Sequence, residues 1–239
     1  MEDLERYADY NEYEDDIPKS KSKVLLTLKI LIAIVCIGVV SFFAFRIVMF
    51  NYYPDTIEDI YYTEELAAYY EATGGNIGAK TQNMRAPYDN EKSATFFADN
   101  LIVIENIGEL QVSIRYLKTL RPEIEALHGV TIGDARDSFT FMLTRNNPSY
   151  DKNMPVSEEN PVHIVVPARV TVITDSSLTY EYVKLVFDGV DFEDVAWLSL
   201  AIYVNGSCAE GEPYRIAIYE NNEAHSIFND YELSEEERP

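Results

Sequence analysis

The sequence predicts a mainly β protein, in which a single transmembrane helix precedes an extracytoplasmic β-sandwich of about eight strands with two short helices. Two observations carry this prediction. Residues 24–50 form an apolar run that only Lys29 and Arg46 interrupt. From Phe96 onwards, apolar residues recur at every second position between turn signals. The first pattern is typical of a membrane span, and the second of strands in a sheet.

The apolar run is long enough to cross a bilayer. The hydrocarbon layer is roughly 30 Å thick and a helix rises about 1.5 Å per residue, so about twenty apolar residues are needed. Lys29 and Arg46 enclose sixteen uncharged residues, and both side chains are long enough to lift their charges to the interface. Bulky residues at Phe42, Phe43 and Phe45 occupy positions where signal-peptide cleavage needs small ones. We therefore predict an uncleaved signal anchor.

The charges beside the run predict its orientation. Lys19, Lys21 and Lys23 precede it, whereas the next basic residue after Arg46 is Lys80. Positive residues stay on the cytoplasmic side. We predict a single-pass protein of the cell membrane that contacts the lipid bilayer through residues 24–50. Its amino terminus would be cytoplasmic and its carboxyl-terminal domain extracytoplasmic.

The rest of the chain divides into four predicted segments. Residues 1–23 form a disordered acidic tail that contains Tyr7, Tyr10 and Tyr13, since it lacks the apolar residues needed to fold. Residues 51–93 form a stalk, with a short helix from Thr63 to Ala72 and then a loop. Residues 94–222 form the β-sandwich, and residues 223–239 form an acidic C-terminal tail.

The sandwich prediction rests on eight strands and a second helix. Pro122 near the start and Gly129 just past the end indicate a helix over residues 121–128. Many short strands with regular turn signals are typical of an immunoglobulin-like sandwich. The predicted strands are 101–104, 110–116, 139–143, 162–166, 170–173, 179–187, 197–204 and 214–219. The first two form a hairpin with one buried face.

A resemblance supports this topology. Residues 96–104 (FFADNLIVI) with residues 110–116 (LQVSIRY) resemble a block in uncharacterised single-pass envelope proteins of Gram-positive bacteria that have a β-sandwich ectodomain. The resemblance covers the region outside the membrane. It implies the same anchor and fold, and it implies no activity.

Charge and cysteine content exclude some classes of protein. The net charge is −22 with a pI of about 4.4, and the basic residues of the outer part are scattered singly. Nucleic acid is therefore excluded as a partner, because phosphate binding needs clustered bases. The cysteines are Cys36 in the span and Cys208 outside it, so the outer domain forms no internal disulfide. This low cysteine content fits a bacterial envelope protein better than a small disulfide-rich secreted domain.

The sequence offers no pattern typical of catalysis or of a bound cofactor. His128, His163 and His225 show no metal-ligand spacing. Ser207, in the turn at residues 205–208, lacks the second glycine of a nucleophile elbow. Acidic neighbours of Cys208 would raise rather than lower the pKa of its thiol. We predict that the protein is not an enzyme.

One acidic loop is a candidate metal site. Asp188, Asp191, Glu193 and Asp194 bring four carboxylates into seven residues between two predicted strands. Oxygen-rich loops suit Ca²⁺, although the spacing is not that of an EF-hand. The alternative is ordinary acidity in an acidic chain, and calcium is the one cofactor that the sequence suggests.

These patterns leave three hypotheses for function. The leading one is a non-catalytic outer domain that binds an envelope protein or a wall polymer. The alternatives are a hydrolase of the envelope that uses carboxylates, and a signalling protein that acts through its cytoplasmic tyrosines. Five tyrosines would form a stacking platform if they shared an exposed face, and half-buried sheet positions are the simpler interpretation. They are Tyr180, Tyr182, Tyr203, Tyr214 and Tyr219.

Overall fold

The computed structural model describes residues 19–83, 95–192, 195, 197–207, 213–220 and 229–230. The chain divides into two compact units, Met1–Asn51 and Tyr52–Pro239. Tyr7, Tyr10 and Tyr13 lie outside the described residues, so the signalling alternative and the disorder of that tail stay predictions.

The first unit contains one long helix, α1, Lys19–Asn51. It begins within the predicted tail, at Lys19, and includes the whole predicted span. The stretch Lys23–Met49 is long and apolar enough to cross a membrane, and its apolar side chains are exposed. A helix that is apolar on all sides is stable only in apolar surroundings.

The second unit contains four short α-helices and ten strands in the described part of the chain. The helices are α2, Asp55–Glu58; α3, Glu64–Thr73; α4, Arg121–His128; and α5, Ala135–Ser138. The strands are β1, Lys80–Asn83; β2, Phe96–Ile104; β3, Glu109–Leu117; β4, Phe139–Asn146; β5, His163–Val165; β6, Arg169–Ser176; β7, Tyr180–Asp188; β8, Trp197–Val204; β9, Tyr214–Glu220; and β10, Asn229–Asp230. All eight predicted strands are present as β2 to β9.

Both predicted helices are present, and residues at their ends account for where they begin and end. The side chain of Thr63 caps α3 by accepting a hydrogen bond from the Leu66 amide, and Gly74 ends the helix in a left-handed conformation. In α4, Pro122 lies in the first turn and Gly129 ends the helix at φ 68°.

The strands form two antiparallel sheets. The large sheet has the order β10-β1-β2-β3-β7-β6, and the small sheet has the order β5-β4-β8-β9. One hydrophobic core contains residues of both sheets, among them Val112 and Leu185 of the large sheet and Phe141 and Leu200 of the small sheet. The fold is therefore two antiparallel sheets around a common core, a sandwich-like arrangement.

The structure differs from the predicted stalk. The described part of residues 51–93 shares the compact unit of the strands, and Ile57 and Leu66 within it are fully buried. Residues 80–83 form β1, which pairs with β2 and adds a strand that the sequence did not predict. The reason is apolar burial, because residues of this segment pack on Ile102 and Ile104 of β2. Residues 84–94 lie outside the described residues.

Two further predictions need correction. The hairpin of β2 and β3 was predicted to bury one face, yet Gln111 and Ser113 on the polar face of β3 are as buried as its apolar residues. Within the predicted C-terminal tail, Asn229 and Asp230 pair with β1 as an edge strand. The rest of residues 223–239 lies outside the described part of the chain.

Candidate functional site

The acidic loop follows β7, and the structure describes only half of its predicted ligands. Asp188 ends β7 and pairs in register with Glu109 and with Arg169, while Asp191 is exposed. Burial raises the pKa of Asp188, and the nearby Arg169 opposes this effect. Glu193 and Asp194 lie outside the described residues. Within the described part of the chain, no three potential ligands come together, so calcium at this loop stays a prediction.

The backbone of this loop is fixed against the β2–β3 hairpin. The amide of Val190 donates to the carbonyl of Gly108 at 2.8 Å. Gly108 has φ 67°, and a Cβ there would lie 2.8 Å from the Val190 carbonyl. Only glycine fits such a left-handed position with so close a backbone neighbour.

His128 makes contacts that the sequence did not predict. Its Nδ1 lies 2.9 Å from Ser207 Oγ and its Nε2 lies 3.1 Å from Tyr214 Oη. A serine and a histidine in contact resemble part of a catalytic triad, but in a triad a carboxylate orients the second ring nitrogen. Here a phenol occupies that position. The contacts join the end of α4 to the β8–β9 hairpin, across 79 and 86 residues of sequence.

The other candidates for chemistry are less informative. His163 stacks on Trp197, with ring centroids 6.3 Å apart. His225 and Cys208 lie outside the described residues.

The five candidate tyrosines do not form an exposed platform. Tyr180, Tyr182 and Tyr219 are buried, whereas Tyr203 and Tyr214 are partly exposed. Burial raises the pKa of Tyr182, Tyr214 and Tyr219 above the ordinary value. The simpler interpretation, sheet positions that are at least half buried, is the one the structure shows.

An open cleft of about 470 Å³ lies beside α5 and the ends of β6 and β7. Its lining includes Asp134, Asp175, Glu181 and Arg121. Asp175 accepts a hydrogen bond from Thr56 at 2.6 Å, and Glu181 lies 3.5 Å from Arg121. These two carboxylates therefore hold structural partners, which is not the arrangement of a free acid and base facing a substrate.

The outer face of the large sheet is covered by residues 52–79, which we name the covering segment. Three polar side chains on this face bind its backbone. Ser113 Oγ donates to the Ile57 carbonyl at 2.8 Å, and Gln111 both donates to the Tyr61 carbonyl and accepts from the Tyr61 amide. Lys184 Nζ donates to the carbonyls of Ile57 and Asp59, at the end of α2.

Glu109 completes this row of polar contacts. It accepts hydrogen bonds from Thr63 Oγ1 and from Gln111 Nε2, each at 2.6 Å. Burial raises the pKa of Glu109, and these two donors oppose the rise. Glu109 and Lys184 are each only 1% exposed. Buried polar groups of this kind are stable only with hydrogen-bond partners, and the covering segment supplies them.

A second cluster fixes the beginning of the covering segment. Tyr182 Oη donates to the Tyr52 carbonyl at 2.5 Å, and the Tyr53 ring packs edge-on against Tyr182. Beneath them, Arg115 Nε lies 3.1 Å from Asp99 Oδ2 and its guanidinium stacks on a tyrosine ring. Burial and the charge of Asp99 raise the pKa of Tyr53 well above the ordinary value. The covering segment is therefore attached from its first residue.

The outer face of the small sheet is different. On β8 the apolar residues from Leu198 to Val204 alternate into the core, so Trp197, Ser199, Ala201 and Tyr203 lie on the opposite face. The register of the strands adds the partners on this face. They are Thr140, Met142 and Thr144 of β4, His163 and Val165 of β5, and Arg215, Ala217 and Glu220 of β9.

Arg215 lies at the centre of this face. Its Nη1 donates to Thr144 Oγ1 at 3.0 Å, although Thr144 is on β4 and Arg215 is on β9. The arginine side chain therefore extends across β8, above the small residues Ser199 and Ala201. Thr144 and Ser199 also share a hydrogen bond of 2.8 Å. The result is a guanidinium beside two hydroxyls, on a face whose rim includes Trp197.

We name this surface the small-sheet face. Sequence reasoning missed it, because Ser199, Ala201 and Ala217 are short side chains with no functional pattern. The one sequence feature that could have indicated this face is that the alternate positions of β4 and β8 have no acidic residue, although the chain is very acidic. Comparison of the chain with family models, curated proteins and solved structures gave no match.

Proposed function

We propose that this chain is a single-pass membrane protein whose second unit lies outside the cell and binds an envelope protein or a wall polymer without catalysis. Residues 24–50 would lie in the lipid bilayer of the cell membrane. The lysines before α1 and the lack of basic residues just after it support a cytoplasmic amino terminus. The similarity to envelope proteins of Gram-positive bacteria is part of this proposal.

The strand order supports an immunoglobulin-like topology for the outer domain. In that fold, four strands in the order A-B-E-D face a sheet that contains C, F and G. The order β2-β3-β7-β6 corresponds to the first sheet, and β5-β4-β8-β9 corresponds to the second with one additional strand. Strands β1 and β10 then extend the first sheet. Domains of this architecture commonly serve as binding modules.

One observation carries the binding proposal. The covering segment lies over the outer face of the large sheet. On the small-sheet face, by contrast, Met142, Trp197, Tyr203 and Arg215 are partly exposed. Aromatic residues, methionine and arginine are enriched in protein interfaces. A face with this composition is suited to recognition rather than to chemistry.

The topology is tested by labelling cysteines in intact cells. In a Cys208→Ser background, a Leu178→Cys variant places a thiol at a side chain that is 72% exposed, and Ser20→Cys places one before the span. A membrane-impermeant maleimide is expected to label position 178 in intact cells and position 20 only after permeabilisation. The reverse pattern would refute the proposed location.

Binding is tested with the full chain in lipid nanodiscs. Nanodiscs that carry the chain are incubated with isolated cell walls and, separately, with solubilised membrane proteins of the source cells. Retention of either fraction above that of empty nanodiscs is expected. Equal retention in both arms would contradict the proposal.

A further inference from the structure

We propose that a second copy of this chain binds at the free edge of β6, so that the β6 strands of the two copies pair antiparallel and join their large sheets. Strand β6 is the last strand of the large sheet, and it pairs with β7 alone in the described part of the chain. An unpaired strand edge presents a row of N–H and C=O groups that another strand can bind. This inference goes beyond the proposed function, which names no second copy.

The hydrogen bonds of the β6–β7 hairpin show which backbone groups of β6 face outward. The amide of Ser177 donates to the carbonyl of Tyr180 at 2.9 Å, so residue 177 is a hydrogen-bonded position of the ladder. Such positions alternate along an antiparallel pair. The odd-numbered residues of β6 therefore bond to β7, and the amides and carbonyls of Val170, Val172 and Thr174 face the free edge. No residue that the structure describes bonds to these outward-facing groups.

This edge lacks the features by which natural proteins prevent strand pairing. Strand β6 contains no lysine, no proline and no bulge, and its register with β7 is continuous over its eight residues. Every residue from 170 to 174 is β-branched, which favours a strand, and Val170 is 39% exposed. The other sheet edges among the described residues are shorter or irregular, since β5 has three residues, β10 has two, and β9 joins β8 through a bulge. Of these edges, β6 is the one best suited to receive another strand.

The charges of β6 favour a second copy as the partner. Its charged residues are Arg169 and Asp175, one near each end. When Val172 lies opposite Val172 of the other copy, Arg169 of each copy lies opposite Asp175 of the other. In this register Val170 also lies opposite Thr174 of the other copy, so outward-facing backbone groups meet outward-facing groups. Opposite charges directly across an antiparallel pair stabilise it, and β6 is therefore complementary to itself in charge and in hydrogen bonding.

Both charged residues are accessible for this contact. Arg169 is exposed and Asp175 is partly exposed, and their odd numbers place them on the same face of the sheet. Asp175 accepts hydrogen bonds from Thr56 Oγ1 and from the Ser176 amide, and a carboxylate has about four acceptor sites. The open cleft beside α5 borders Asp175, and its lining includes Asp134. The end of β6 that would receive the arginine is therefore open and acidic.

The overall acidity of the chain opposes self-association, and two conditions reduce this effect. Charges more than about 8 Å apart are largely screened at physiological salt, so the local charges of the edge matter most. Two chains anchored in one membrane, as proposed above, would meet at a raised effective concentration. A twofold axis perpendicular to the sheet relates antiparallel strands, so both covering segments lie on the same side of the joined sheet. Under these conditions a weak edge contact is sufficient for pairing.

The test is disulfide trapping of the full chain in membranes of cells that express it. In a Cys36→Ser, Cys208→Ser background, Val172→Cys places a thiol at the centre of the register. The Cα atoms of the two residues 172 would lie about 5.5 Å apart, within the range of a disulfide, so copper phenanthroline is expected to oxidise the two thiols to a linked dimer.

The matched control is Val170→Cys, because the two residues 170 would lie more than about 10 Å apart and should not link. Chains with Val170→Cys are expected to link to differently tagged chains with Thr174→Cys, since these positions lie opposite each other in the proposed register.

Charge reversal tests the identity of the partner. Arg169→Asp is expected to lower the dimer yield of the Val172→Cys chain roughly threefold or more, because like charges then face each other at both ends. The double variant Arg169→Asp, Asp175→Arg restores opposite pairs and is expected to restore the yield, although Thr56 still loses its acceptor. Val170→Pro removes an amide that faces the free edge and does not bond to β7. It is expected to lower the yield similarly, and it keeps the test valid if Arg169→Asp misfolds.

Each other outcome would overturn the inference. No dimer from Val172→Cys, or equal yields from positions 172 and 170, would reject the pairing of β6 with itself. A disulfide adduct with another protein in place of the dimer would assign the edge to a different partner. A double variant that unfolds at the normal midpoint and does not recover the yield would refute the register. The labelling of position 178 tests the proposed location separately, so either proposal can fail alone.

Discussion

The two outer faces of the sandwich differ in how deeply their polar side chains are buried and in what those side chains contact. On the large sheet, Glu109, Gln111, Ser113 and Lys184 are buried and bind the covering segment. On the small-sheet face, Arg215 is half-buried and its internal partner is a single threonine hydroxyl. One face is occupied by its own chain, and on the other face the described residues use one hydrogen bond of Arg215.

The comparison shows that polarity in a strand does not reveal its role. A buried polar side chain without its partner costs about 1–3 kcal/mol, so the large-sheet contacts contribute to stability. A half-exposed side chain can return to water at little cost, so we expect the small-sheet contacts to contribute to binding instead.

The largest expected effect is the loss of Lys184. Lys184→Met keeps the length of the side chain but removes its hydrogen bonds to the carbonyls of Ile57 and Asp59. Because bonds to a charged group are strong, the free energy of unfolding should fall by about 3 kcal/mol. Chemical denaturation of the full chain in detergent measures this, with the exposed Lys152→Met as the control. A loss equal to that of Lys152→Met would contradict our account of this face.

Gln111→Ala should have the next largest effect. The variant loses two hydrogen bonds to the backbone of Tyr61, which are partly buried, and one to the buried Glu109. We expect the free energy of unfolding to fall by about 2 kcal/mol. Thr171→Ala, at an exposed position of β6, should change it by less than about 0.5 kcal/mol. The same denaturation experiment compares the two, and equal losses would show that the covering segment is not held by these contacts.

A smaller effect is expected in the pH dependence. The pKa of Glu109 is raised in the folded state, so between its ordinary value of 4.5 and the raised value the folded protein binds more protons than the unfolded chain. Stability from this group therefore falls as the pH rises through that interval. The difference in unfolding free energy between the native chain and Glu109→Gln should decline from pH 4.5 upwards and then level off. Parallel curves for the two proteins would exclude a raised pKa.

The smallest effect on stability is expected for Arg215→Ala. This variant loses one hydrogen bond to Thr144 from a partly exposed side chain, so the free energy of unfolding should fall by about 1 kcal/mol or less. Thermal melting of the full chain measures it beside Lys184→Met. A loss as large as that of Lys184→Met would show that Arg215 is structural, and the difference between the two faces would disappear.

Much of the fold follows from the sequence because alternation and caps act locally. Strands β2 to β9 and helices α3 and α4 lie where periodicity and residues such as Thr63, Pro122 and Gly129 predict them. Alternation also identified which side chains of β3 point away from the core. It gave no information on what covers them, because that depends on contacts such as Gln111 with Tyr61, 50 residues apart in sequence.

The candidate sites were less predictable for the same reason. The short polar strand β1 becomes a strand only through its pairing with β2, and His128 meets Ser207 only in the folded chain. The centre of the small-sheet face consists of threonine, serine and alanine, which have no motif. Arg215 contacts Thr144 across β8, and only the register of β4, β8 and β9 shows that these two residues lie on the same face.

The most direct test of the contrast between the faces compares the free energies of unfolding of Lys184→Met and Arg215→Ala, measured by chemical denaturation of the full chain. We predict a fall of about 3 kcal/mol for Lys184→Met, which loses two hydrogen bonds to the covering segment, and of about 1 kcal/mol or less for Arg215→Ala. Equal falls in the two variants would contradict the different roles assigned to the two faces.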